Sequence, residues 1–215
     1  MRGAAEAIVA RALDRAGIPF EFRYGGPFKR VLAAAEAGGI DVVVELKRTP
    51  EREAFLDFLA TPIFTNPVAV FTRRDRNLTI HRREDLVGLE GGIILGNRFG
   101  GGLDEYLAQN HAVEELQSLD SGFNMVQANH LDYFMTSYYP GMSYLQNRHQ
   151  TGMFTVQHPY LVVAEDFVGV SKKSPCLTRL GALDGALTTM RQEGEIARLF
   201  DSATEVWRKQ IDRNE

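Results

Sequence analysis

Only one cysteine, Cys176, occurs in 215 residues, so no intrachain disulfide can form and no cysteine cluster is available for a structural metal. By base rate such a residue is read as a half-buried small hydrophobe. No stretch approaches the roughly 18 consecutive apolar residues that a membrane-crossing helix needs, so no membrane span is expected. Basic charge is not in excess: 24 Lys and Arg stand against 28 Asp and Glu, a net charge of −4. Without a basic face to neutralise phosphates, nucleic acid is excluded as a partner. Low-complexity tracts and short repeats are missing too.

Several catalytic signatures are absent. The five histidines (His81, His111, His130, His149 and His158) form no HExxH or comparable close pair, so metal ligation is not expected. Ser121, Ser137 and Ser171 have no nucleophile-elbow context. The glycine loop 96–102 follows a predicted strand, but no Gly-Lys-Ser/Thr follows and the spacing is not GxGxxG, which argues against a nucleotide. No cofactor is called for.

What is present is a 44% hydrophobic chain long enough for one large domain or two small lobes. The first residues run directly into helical periodicity, and Glu6 and Asp14 interrupt the apolar core a secretory signal would need, so no signal peptide is expected there. Apolar positions recur at helical spacing over 5–16, with Gly17 as a stop. Alternation predicts a strand over 20–24, a helix after Pro27 ending at Gly38-Gly39, and a strand over 42–46. This order reads as α/β with parallel pairing. Residues 68–71 form another predicted strand. A similar series follows: a short helix at 84–89, strand 92–95, a helix through Leu103 and Leu107, strand 114–119, helix 122–128 and strand 131–135. Tyr138 to Gly141 reads as a turn and 144–148 as a helix. Strands at 160–164 and 167–170 precede helices at 177–191 and 196–211. Leu199, Phe200, Ala203, Val206 and Trp207 share the apolar face of that last helix, a packing stripe.

The most informative stretch is 41–64. A strand ending in Thr49-Pro50-Glu51-Arg52 gathers a hydroxyl, backbone N–H groups and a guanidinium at one point, which suits a small carboxylate or another anion. Gly39-Ile40-Asp41-Val42-Val43-Val44, this turn, Phe58 and Thr61-Pro62-Ile63-Phe64 together resemble the bacterial family 3 solute-binding proteins, the extracytoplasmic receptors of polar amino-acid ABC importers. Further matches follow in order: Glu84-Asp85-Leu86-Val87-Gly88-Leu89, the glycine-flanked strand near 93, Asn129-His130-Leu131-Asp132-Tyr133, Val170-Ser171-Lys172-Lys173-Ser174-Pro175 and Arg191-Gln192-Glu193-Gly194-Glu195.

The resemblance implies a periplasmic-binding-protein-like type II α/β fold: residues 1–68 plus 167–215 as one lobe, 69–166 as the other, and hinge strands near 67–71 and 166–170. It implies a non-enzymatic, monomeric periplasmic receptor that closes over a small-molecule ligand and delivers it to an ABC permease. Arg52 matches the family arginine that grips the ligand carboxylate, and Thr49 assists it. Asn97 and Arg98 fall on the ligand-contacting loop of the second lobe, and Ser137 and Tyr138 follow its strand at 131–135.

Three departures accompany the match. Glu45 and Lys47 stand where the family has small polar residues, and they would fill or reshape the cleft. Thr136-Ser137-Tyr138 stands where the family aspartate receives a ligand ammonium, leaving Glu45 as a substitute if it points inward. The strand that relatives place before the first helix is missing, so signal peptide and strand are expected upstream, with a decayed or non-functional paralogue as the alternative. Unpaired backbone groups left by a missing strand would cost on the order of 1–3 kcal/mol each if buried. A sensory module, or a dehydratase-like enzyme using Glu45 and Lys47 as an acid/base pair, is the competing reading on the same scaffold.

Overall fold

The computed structural model describes residues 3–110 and 113–211, and for 206–211 the backbone alone. The expected packing of Val206 and Trp207, and His111, lie outside what is described. Two compact units emerge: Met1–Gly26, Arg30–Thr65 and Glu165–Glu215 make the first, and Pro27–Lys29 with Asn66–Ala164 the second.

The first unit opens with α1 (Ala4–Arg15), whose buried Ile8, Val9, Ala12 and Leu13 fall at helical spacing. Gly17 takes a left-handed φ of 61°, and the Ile18 N–H returns to the Leu13 carbonyl, closing the helix. Helix α2 (Phe28–Ala37) follows, belonging to this unit from Arg30 on, then β1 (Val42–Leu46), the single-turn α3 (Pro50–Glu53) and β2 (Leu56–Phe58). The first-unit part of β8 (Val162–Ser171) pairs antiparallel with β1 and with β2. Parallel pairing is therefore corrected for this unit, because β8 arrives from the far end of the chain and not through a helical crossover. Helices α7 (Leu180–Gln192) and α8 (Glu195–Ile211) pack with α1.

Residues 20–24 are not a strand. Their alternation is real, but among the described residues no partner strand pairs with them, and extended backbone becomes a strand only through inter-strand hydrogen bonds. Phe20 and Phe22 instead meet edge to face, with ring centroids 5.3 Å apart.

In the second unit the sheet is mixed. Strand β4 (Gly91–Ile94) pairs parallel with β5 (Val113–Leu116) and β6 (Tyr133–Ser137). Strand β6 pairs antiparallel with β3 (Phe64–Arg73), which also takes β7 (Phe154–Val156). Strand alternation sends Val68, Val70, Tyr133 and Met135 into one core cluster and Ala69, Phe71 and Phe134 into another. Helix α4 (Leu103–Asn110) contributes Leu103 and Leu107 to the first cluster. Helices α5 (Leu119–Gln127) and α6 (Tyr138–Asn147) contribute Phe123, Val126 and Leu145 to the second.

The Tyr138 to Gly141 turn is likewise corrected: these residues open α6, where Pro140 lies in the first turn and leaves no intrahelical hydrogen bond unmade. The two strands expected near 160–170 are one continuous strand, β8, that runs from the second unit into the first between Ala164 and Glu165. Strand β3 crosses similarly, between Thr65 and Asn66.

Candidate functional site

Thr49 is the N-cap of α3, in extended conformation, with Pro50 at the first helical position. Its Oγ1 accepts from the Arg52 backbone N–H at a long 3.4 Å. Arg52 is buried, 4% exposed, and its Nη1 donates to the Lys47 carbonyl oxygen at 2.7 Å. The guanidinium thus ties the end of the strand to the helix that follows. Strand, cap and helix bring Lys47, Thr49 and Arg52 to one turn.

Lys47 is buried as well. Its Nζ lies 2.8 Å from Asp166 Oδ1, and both side chains are almost fully enclosed. The Asp166 backbone carbonyl accepts from Ile63 N–H, so the residue is held on two sides. The sequence gives Asp166 no role beyond the start of an implied hinge strand. Its role as the counterion of Lys47 depends on β8 lying beside β1, a pairing between residues more than a hundred positions apart.

Glu45 has a φ of 63°, in the left-handed region, and falls where the β1–β8 register shifts between Val43 and Leu46. A non-glycine residue in this conformation is strained, and such a bulge re-aims a side chain. The residue retains partial exposure, yet its carboxyl group is enclosed enough that its pKa is pushed up to about 7, with burial the largest cause. The nearby Asp166 carboxylate adds to that rise, and Lys47 opposes both.

In the second unit, Asn97 and Arg98 follow β4. The Asn97 N–H donates to the Ile94 carbonyl, and Arg98 Nη1 to the Asn97 carbonyl at 2.7 Å; Asn97 is half-buried and Arg98 exposed. The carboxylate of Asp104 accepts from the N–H groups of Phe99 and Gly100 at 2.7–3.1 Å. Two amides of the glycine loop are therefore already occupied. Ser137 ends β6 in register with Val68, and Tyr138 meets the rings of Tyr139 and Tyr160 edge to face. Asn66, fully buried, accepts through Oδ1 from Tyr139 N–H at 3.4 Å. That contact left no signal in the sequence.

Among the described residues no group of three His, Cys, Asp or Glu side chains could hold a metal ion. None of the described helices is long and apolar enough to cross a membrane. Cys176 is half-buried and unpaired with another cysteine.

Solved structures share this architecture. An amino acid ABC transporter substrate-binding protein, AbpA from Streptococcus pneumoniae, bound to L-arginine, superposes with a TM-score of 0.79 at 17% identity, over 96% of this chain and 85% of that one. The arginine-, lysine-, histidine-binding protein ArtJ from Geobacillus stearothermophilus gives 0.73 at 15% identity, over 91% and 83%. A histidine kinase sensor domain with similarity to periplasmic binding proteins gives 0.74 at 20% identity, over 89% and 81%. At these identities the likeness establishes the type II periplasmic-binding-protein fold. No curated protein matches the chain. The sequence profile described as "Bacterial extracellular solute-binding proteins, family 3" matches residues 1–204, nearly the whole chain, and the protein belongs to that family.

Proposed function

We propose that the protein is a receptor for a small polar or carboxylate-bearing solute, acting outside the cytoplasm and handing its ligand to an ABC permease. The observation that carries this reading is the buried Arg52 at the Thr49 turn, in a chain of the solute-binding family. A guanidinium withdrawn from water binds a carboxylate far more strongly than an exposed one, because less solvation competes with the bidentate pair. Thr49, Arg52, Glu45 and Lys47 are the proposed ligand contacts of the first unit, and Asn97, Arg98, Ser137 and Tyr138 those of the second. The crossing strands β3 and β8 are the proposed hinges of a binding-linked population shift. The reading assigns no catalysis and no cofactor, and it takes the receptor to act as a monomer.

The test is a thermal-shift screen of carboxylates and amino acids, followed by calorimetry on any stabilising compound. Arg52→Lys keeps the charge but loses the planar fork, and is expected to weaken binding by about tenfold or more. Unchanged affinity would reject Arg52 as the carboxylate anchor. A sensory role on the same scaffold is favoured by one observation, the likeness to the histidine kinase sensor domain. Its binding step would be the same, and the genes beside this one, permease and ATPase or kinase, separate the two outputs.

A further inference from the structure

All three buried charged residues among those described, Lys47, Arg52 and Asp166, lie in the first unit and form one connected group. Arg52 Nη1 donates to the Lys47 carbonyl at 2.7 Å, and Lys47 Nζ sits 2.8 Å from Asp166 Oδ1. Glu45, two residues before Lys47, completes the group electrostatically with Asp166 and Lys47.

The charge balance of this group selects among ligands. Two basic side chains, Lys47 and Arg52, belong to the group, and the buried Asp166 carboxylate already has the Lys47 ammonium beside it. Glu45 is a weakened counter-charge at neutral pH, since burial first and Asp166 second push its carboxyl up to about 7 against the opposing Lys47. A zwitterionic amino acid would bring a second ammonium, which needs a carboxylate once it leaves water. The second-unit residues proposed as contacts add hydroxyls, an amide and a guanidinium, but no acid. Asp104, close by in sequence, is committed to the amides of Phe99 and Gly100.

We propose that the Lys47 ammonium occupies the place of a ligand ammonium, so that the site takes carboxylates lacking one, such as 2-oxo acids or dicarboxylates, and discriminates against the corresponding α-amino acids. Lys47 is then the specificity-determining residue, and Asp166 the positioning residue that holds it. The proposal rests on the receptor reading and sharpens it.

Matched pairs decide it. Pyruvate with L-alanine and 2-oxoglutarate with L-glutamate, within a wider panel of carboxylates with and without an ammonium, are titrated calorimetrically into the whole chain. Ligands without the ammonium are expected to bind at least about tenfold tighter than their amino-acid counterparts. Equal or better binding of the ammonium-bearing members overturns the proposal while leaving the receptor reading intact; no binding by any compound of the panel overturns both.

A charge variant gives an independent readout. Lys47→Met leaves the Asp166 carboxylate without its ammonium and is expected to move the preference toward the amino acid by about tenfold or more. An unmoved preference in the folded variant, judged by circular dichroism, overturns the assignment to Lys47. Lys47→Arg retains the ion pair and is expected to retain the original preference, and a reversal there would count against the proposal equally. The wild-type titrations need no variant to fold.

Discussion

Lys47, Arg52 and Asp166 are enclosed in the first unit, whereas the buried polar residues of the second, Asn66, Thr72, Thr136 and Gln157, are all neutral. Gln157 shows how the second unit settles such groups: its amide donates to Thr72 Oγ1 and the Leu78 carbonyl and accepts from the Ile80 N–H. Around it lie rings. Phe123 has Phe71, Phe134, Tyr144 and Phe154 within about 5 Å, centroid to centroid. One unit is thus a packed scaffold, and the other carries the cost of desolvated charge in its interior. Buried charge stabilises poorly compared with apolar packing of the same volume, so its presence points to a task beyond folding.

The sharpest way to break this contrast is to remove one ion. Asp166→Ala removes the carboxylate beside the buried Lys47 ammonium and is expected to cost about 3–5 kcal/mol in urea unfolding. Replacing both, Lys47→Met with Asp166→Leu, is expected to restore most of that stability. If the single and double variants were equally unstable, the pair would be ordinary packing and the contrast would fail.

Next in size is a pH effect confined to the first unit. Glu45 has its folded pKa raised to about 7 from an ordinary 4.5, so the folded state holds a proton that the unfolded chain releases at lower pH. Its contribution is fully present below about pH 4.5 and is lost as pH rises through 7, a span of up to about 3 kcal/mol. Glu45→Gln is expected to remove that decline when unfolding free energies are compared between pH 4.5 and 7.5. A variant whose curve parallels the wild type would show that the carboxyl is solvated.

Packing in the second unit is probed at Gly91. A Cβ built there would lie 2.0 Å from Tyr133 Cζ, an overlap that neither the ring nor the strand can absorb without moving. Gly91→Ala is expected to destabilise by about 1–3 kcal/mol, with little pH dependence between 4.5 and 7.5. A pH-dependent loss would mean that the scaffold and the charged cluster are not energetically separate.

Much of the architecture was legible beforehand because local rules decide it. The α1 stripe from Ile8 to Leu13, the Gly17 stop, β1 and the Thr49–Pro50 helix start follow from periodicity and capping alone. Local pattern misleads where a second segment is needed: 20–24 alternates like a strand yet finds no partner strand among the described residues, and β1 pairs antiparallel because β8 comes to lie beside it. Residues 138–141 look like a turn, but Pro140 is compatible with the first turn of α6.

For the candidate site, the residue types at Thr49 and Arg52 and their spacing were decided by sequence, since a cap and the residue three places on are joined by helix geometry whatever surrounds them. The partner of Lys47 was not. Asp166 lies 119 positions away and reaches it only through the β1–β8 ladder, and the left-handed backbone of Glu45 arises from the register shift in that same ladder. Local sequence determines which groups a turn presents; long-range pairing determines which charges are enclosed together, because burial and ion pairing are properties of the assembled sheet and of no single segment.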